Sequence, residues 1–209
     1  TPRPKGEKPT VSFCGYAGFP SLKTRIKYHI VNFLFDISGR PVYKRGIYYR
    51  RRALAALSRD SRIKTSFIIR DSFSANANTV GVDPEKLRTE YLDNIIESDY
   101  VLCPKGDANF SSRFYETLSL GRIPVLINTE MRLPLEKTVD YSKFIVRVPY
   151  QEVERVADYV AEHHTKLSNE AFEAAQREAQ AAYRRFIRFD AYYNEMLPRL
   201  REGGIPSVL

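Results

Sequence analysis

Between residues 99 and 128 the chain gathers the side chains best suited to chemistry. Lys105 and Gly106 sit in a turn, Ser111 and Ser112 stand where a helix should open, and Arg113 and Glu116 follow three residues apart. The first-turn N–H groups of a helix have no intrahelical acceptor and carry partial positive charge, so a helix start flanked by Lys105 and Arg113 favours an anion. Arg113, Glu116 and Leu120 recur at i, i+3 and i+7 and share one face; Phe114, Leu118 and Gly121 share another that can be buried. A guanidinium and a carboxylate pointing the same way suit a ligand with phosphates at one end and a hydroxylated sugar at the other, as in a nucleotide sugar. A plainer reading uses the same residues: a Ser-Ser cap with an Arg/Glu pair is also an ordinary solvated helix start, worth roughly a few tenths of a kcal/mol.

These residues need a scaffold, and the flanking pattern supplies one. Short apolar runs at 100–103 and 123–127 read as strands on either side of the helix, a βαβ unit with the polar loop at its crest. Upstream, a strand over 11–14 stops at Gly15, and Gly15, Tyr16, Ala17 and Gly18 form a small-residue loop before a helix. Leu22, Ile26, Ile30, Phe33 and Ile37 recur at helical spacing, which predicts that this helix packs on the sheet. A strand over 63–69 ends at Arg70, a further crest cation that could instead pair with Asp71; a polar loop over 74–82 follows. Asp83-Pro84 opens a helix with Leu87, Tyr91 and Ile95 as its buried stripe.

After the central unit, a loop beginning at Asn128 should close over the ligand from the far side, and a last strand runs over 144–148. Val153, Val156 and Val160 mark a crossover helix, and further helices from about 168 carry Phe172, Ala175, Ala179, Ala182 and Phe186. About five strands alternating with helices predict an α/β fold with a parallel, doubly wound, Rossmann-like sheet and extra C-terminal helices. The expected order is 2-1-3-4-5. Its switch point lies between the strands ending at Cys14 and Cys103, where a ligand would touch Gly15, Lys105, Gly106, Ser111, Ser112 and Arg113 together.

The runs Leu102-Cys-Pro-Lys-Gly106, Ser112-Arg-Phe-Tyr-Glu116, Gly121-Arg-Ile-Pro-Val-Leu-Ile127, Leu133-Pro-Leu135 and Phe144-Ile-Val-Arg-Val-Pro149 resemble, in order, spacing and residue type, the donor-binding half of exostosin-type glycosyltransferases. The resemblance implies the carboxyl-terminal Rossmann-like domain of a GT-B enzyme, here residues 10–209. It implies a nucleoside-diphosphate sugar as donor, a UDP-sugar by preference, and inverting transfer to a hydroxyl of a glycan acceptor. Glu116 matches the family position that accepts hydrogen bonds from the ribose. Arg25 matches a downstream arginine and becomes a second phosphate candidate, with a solvated helix cation as its alternative; Tyr16, Arg70 and Asn128 complete the expected donor set. No Asp-x-Asp is present, so no obligatory metal or cofactor is expected, and Lys105, Arg113 and the helix start would neutralise the diphosphate. Asp71 and Asp107 are the crest carboxylates that could serve as a catalytic base. The acceptor domain of such an enzyme is expected outside this chain, on a missing N-terminal portion or a partner chain. A fucosyltransferase-like enzyme using a GDP-sugar, and a non-catalytic nucleotide- or carbohydrate-binding module, are the competing readings.

Bulk properties agree with one globular domain: 209 residues, 43% hydrophobic and 28% charged. The Pro- and Lys-rich residues 1–9 read as a linker, and the start at Thr1 suggests a fragment. No apolar run is long enough to span a membrane. The net charge of +8 favours an acidic partner. Between Ser38 and Arg62 arginines alternate with Tyr43, Tyr48 and Tyr49; nucleic acid is the less favoured reading of this section, because Ala53, Leu54 and Leu57 mark an amphipathic helix with a cationic outer face. Cys14 and Cys103 could lie close, and two small reduced side chains are the favoured account of them. The sequence carries no compartment address; the resemblance allows the Golgi lumen or a bacterial cytoplasm.

Overall fold

The computed structural model describes residues 1–18, 21–70, 83–106 and 108–201. Five strands form one parallel sheet: β1 (Thr10–Tyr16), β2 (Lys64–Arg70), β3 (Tyr100–Cys103), β4 (Ile123–Asn128) and β5 (Val146–Pro149), in the order β2-β1-β3-β4-β5. This is the expected Rossmann-like topology. The chain leaves β1 toward β2 and returns past it to β3, so crossovers of one hand must lie on opposite faces, and a crevice opens at the carboxyl ends of β1 and β3. β3 and all but the last residue of β4 are buried, as covered parallel strands require.

The described helices are α1 (Leu22–Ile37), α2 (Gly46–Arg59), α3 (Pro84–Ile96), α4 (Ser112–Ser119), α5 (Val156–Lys166), α6 (Asn169–Ala182) and α7 (Phe189–Arg201). Their stripes bury largely as the spacing predicts: Ala53, Leu54 and Leu57 of α2, Leu87 and Ile95 of α3, Phe114 and Leu118 of α4, and Phe172, Ala175 and Ala179 of α6 all belong to the core. Helix α4 ends in a Schellman turn. Gly121, at φ +64°, lets its N–H bond the Leu118 carbonyl and the Arg122 N–H bond that of Thr117, each at 3.0 Å.

Two expectations are corrected. Helix α1 does not bury its apolar stripe: Leu22, Ile26, Ile30, Phe33 and Ile37 are 53–69% exposed, while Tyr28 and Asn32 are buried. The face carrying Lys23, Lys27, Tyr28 and Val31 looks across a cavity at α2, and a helix cannot turn both faces inward. The first nine residues are not a free linker. Arg3 exchanges two 2.9 Å hydrogen bonds with the Gln176 amide, Lys5 Nζ donates to the Leu167 carbonyl at 2.7 Å, and Pro9 is buried. His164 closes the strap by donating from Nε2 to the Gly6 carbonyl at 2.8 Å, which leaves its Nδ1 facing the Tyr100 hydroxyl at 3.4 Å.

Candidate functional site

A cavity of about 730 Å³ opens at the carboxyl ends of β1 and β3. That size lies within the range of sites for small organic ligands, about 300–1,000 Å³. The β1 loop forms one wall, the 104–111 loop and the start of α4 another, and Pro84, Leu87, Arg88 and Tyr91 on one face of α3 a third.

Helix α4 presents its amino end to this hollow. Ser111 is the cap residue, yet its side chain makes no capping hydrogen bond, and no acidic residue occupies the first turn. The plainer reading of the Ser-Ser start therefore does not hold. Nor do Arg113 and Glu116 pair with each other. Arg113 Nη2 donates to the Cys14 carbonyl at 2.6 Å, and the guanidinium lies 4.3 Å from the Phe13 ring centroid, which fixes it by stacking. Its Nε is buried with no protein partner. Glu116 accepts from Arg88 Nη1 at 3.2 Å and from the Tyr91 hydroxyl. A carboxylate has about four lone-pair sites, so two remain for a ligand.

Gly15 is required by close approach. A Cβ there would stand 2.9 Å from Arg113 Nη2. Four arginines (Arg50, Arg70, Arg88 and Arg113) and one carboxylate, Glu116, line the cavity among the described residues, so it is electropositive. Arg70 is braced by Glu90 at 2.7 Å and the Leu87 carbonyl at 3.2 Å, and Arg50 donates to the Tyr16 carbonyl.

Of the residues singled out in the sequence, Gly15, Tyr16, Arg70, Gly106, Ser111, Ser112, Arg113 and Glu116 meet on this hollow. Lys105 does not line it. Its ammonium is buried, donates to the Val42 carbonyl at 2.8 Å, and has its pKa lowered by that burial. The cause is Gly46 at the start of α2, where a Cβ would come within 2.2 Å of the Lys105 carbonyl and 2.3 Å of that of Gly106. This contact presses the crest loop onto α2 and draws the lysine to the turn before it. Arg25 is exposed on α1 and away from the cavity. Asn128 is half-buried at the end of β4, and the loop it opens packs on the crest loop instead of covering the hollow: Asn109 Nδ2 donates to the Thr129 carbonyl at 3.0 Å. Asp71, Asp107 and the 74–82 loop lie outside the described residues.

The sequence reading missed Arg50, Arg88 and Tyr91. Tyr91 belongs to the stripe that the spacing gives to the core, Arg88 lies beside that stripe, and Arg50 reads as one more charge on a generally cationic helix surface. Cys14 and Cys103 are free and buried, in line with two small reduced side chains, and burial pushes the Cys103 thiol up to about 12.

The arrangement has counterparts in known proteins. Residues 48–162 match the Exostosin GT47 domain family, a stretch that includes β2 through β5. The chain is 36% identical over 73 residues to a probable glucuronoxylan glucuronosyltransferase, IRX7, of Arabidopsis thaliana, covering 35% of this chain and 16% of that one. It is 30% identical over 100 residues to the exostosin-1 homolog of Caenorhabditis elegans, covering 48% and 26%. It is 31% identical over 93 residues to a probable glucuronosyltransferase of Oryza sativa subsp. japonica, covering 43% and 22%. The matched stretches thus span well under a third of these relatives' own length.

Proposed function

The chain belongs to the exostosin GT47 family, and from that membership and the cavity at the β1/β3 switch point we propose that it is the donor-binding half of a glycosyltransferase that takes a nucleoside-diphosphate sugar, a UDP-sugar by preference. One observation carries the reading: the uncapped start of α4, the fixed guanidinium of Arg113 and the carboxylate of Glu116 converge on one hollow at the β1/β3 switch point. Two of the similar proteins bear the name glucuronosyltransferase, which supports sugar transfer as the reaction class.

In this reading the diphosphate lies against the α4 N–H groups and Arg113, while Glu116 accepts from the ribose hydroxyls. In an inverting transfer an acceptor hydroxyl forms a bond to the anomeric carbon as the bond to the diphosphate oxygen breaks. The hydroxyl proton leaves to a base, and the electron pair departs with the diphosphate. Arg113 and the helix start meet that growing charge, as preorganised donors should. The base and the acceptor site of the complete enzyme are proposed to lie mainly on a second domain or partner chain.

Calorimetry with UDP, GDP and CMP tests the assignment. UDP should bind, and Glu116→Ala should weaken it by about 1–3 kcal/mol if ribose bonds are lost in a desolvated pocket. GDP binding in place of UDP would favour the fucosyltransferase-like alternative, and indifference of UDP to Glu116→Ala would remove the ribose role.

A further inference from the structure

A second cavity, of about 390 Å³, adjoins the first, sharing Tyr16, Arg50 and Gly106 with it. It lies between α1 and the start of α2, and its wall carries Lys23, Lys27 and Arg45. Most cations of the neighbouring basic section already have partners on the protein itself. Lys44 pairs with Asp36 at 2.6 Å, Arg51 donates to the Ala17 carbonyl at 2.7 Å, Arg52 pairs with Glu154, and Arg62 holds Asp60 and Asp158. Lys23, Lys27 and Arg45 differ: among the described residues none has a carboxylate within ion-pair distance and no acidic side chain lines the cavity. Arg45 caps α2 without a side-chain hydrogen bond, and the first turn of α2 holds no acid. Three cations with no ion-pair partner among the described residues, and an uncapped helix start, therefore border one concave space, which Tyr16 and Tyr28 also line.

We propose that this cavity seats a carboxylate-bearing sugar unit of the acceptor glycan, held by Lys23, Lys27 and Arg45. The proposal rests on the donor-domain reading, since the shared wall at Tyr16, Arg50 and Gly106 is what places a bound glycan next to a donor sugar. A concave shape lined by tyrosines suits a saccharide ring, while the three basic groups select for charge. An extended nucleic acid fits less well, because at the surface Arg52 is neutralised by Glu154 and Arg62 by Asp60 and Asp158, which interrupts the basic stretch.

The test is calorimetry on the 209-residue chain with a glucuronate-containing tetrasaccharide and with its carboxyl-reduced counterpart, each with and without saturating UDP. The acidic form should bind at least about tenfold more tightly at low salt, the preference shrinking as ionic strength rises. Lys23→Gln combined with Lys27→Gln should abolish the preference and leave UDP affinity unchanged; both side chains are exposed, and an unaltered circular dichroism spectrum confirms the fold. Equal affinity for the two tetrasaccharides, indifference to the double substitution, or displacement of the tetrasaccharide by UDP would overturn the proposal. Tighter binding of a single-stranded oligonucleotide at these lysines would overturn it in favour of nucleic acid. Retained acidic preference in a chain that binds no nucleotide would support this site and count against the donor reading alone.

Discussion

Arg113 and Cys14 are 99 positions apart in the chain and joined by a 2.6 Å hydrogen bond from the guanidinium to a carbonyl near the end of strand β1, just before Gly15. That bond links the helix after β3 to the end of β1, across the crevice where the sheet order reverses. Arg113 therefore has two tasks, closing the floor of the cavity and supplying charge to it. Lysine can supply the charge, but it lacks the planar fork needed for both. Arg113→Ala should weaken UDP binding by about 2–3 kcal/mol, roughly 30- to 150-fold, and Arg113→Lys by at least about tenfold. Unchanged calorimetric affinity in both would rule out an anion-binding role.

Two glycines separate stability from binding. At Gly46 an added methyl meets the Lys105 and Gly106 backbone, which cannot rotate away, so Gly46→Ala should cost about 1–3 kcal/mol and lower Tm by several degrees. At Gly15 the methyl meets the end of the Arg113 side chain and the edge of the Phe13 ring, and the φ of +156° strains any side chain there. Gly15→Ala should lower Tm by less than Gly46→Ala does while weakening UDP several-fold. Equal thermal shifts in the two variants would contradict this division.

The outward apolar face of α1 makes a third expectation. Ile26→Gln and Ile30→Gln should each change stability by less than about 0.5 kcal/mol, as at other exposed positions. Leu57→Ala, in the fully buried face of α2, should cost about 2–5 kcal/mol. Urea unfolding measures all three, and a large loss from either α1 variant would show that this face is covered in solution.

Acid should destabilise the fold through the paired histidines. Burial lowers the His163 pKa from its ordinary 6.5 to about 4 and lowers that of His164 as well. The unfolded chain then binds more protons than the folded one between these values, so the stabilisation is complete above about pH 6.5 and is lost as pH falls toward 4. The loss should be on the order of 2–3 kcal/mol. Asp60, held down to about 2 by Arg62, titrates below this window. Unfolding free energies measured from pH 7 to pH 4 should show the slope, and His163→Gln should flatten it; an equal slope in the variant would assign the acid sensitivity elsewhere.

Much of this site was legible before any coordinates. The i, i+3 spacing put Arg113 and Glu116 on one helix face, the apolar runs marked β3 and β4, and the alternation of elements led to the strand order. Burial of Phe114 and Leu118 follows from the same periodicity. Lys105 and α1 were less legible, for a shared reason. A basic residue in a crest loop can turn toward the hollow or away from it, and the turn taken depends on Gly46, some sixty positions earlier, pressing on its backbone. An apolar stripe shows which face of a helix could be buried, not whether a neighbour is there to bury it.

By itself the sequence determined which segments become strands and helices, their order in the sheet, and the residue types gathered at the crest, because hydrophobic periodicity, turn residues and helix starts act over a few positions. Only the tertiary structure decided which charged groups share a cavity. It gave Arg113 a carbonyl on β1, set Glu116 between Arg88 and Tyr91, took Lys105 out of the hollow and left Lys23, Lys27 and Arg45 around a second one. Those outcomes depend on close approaches between segments distant in the chain, and no local pattern encodes the distance between two backbones.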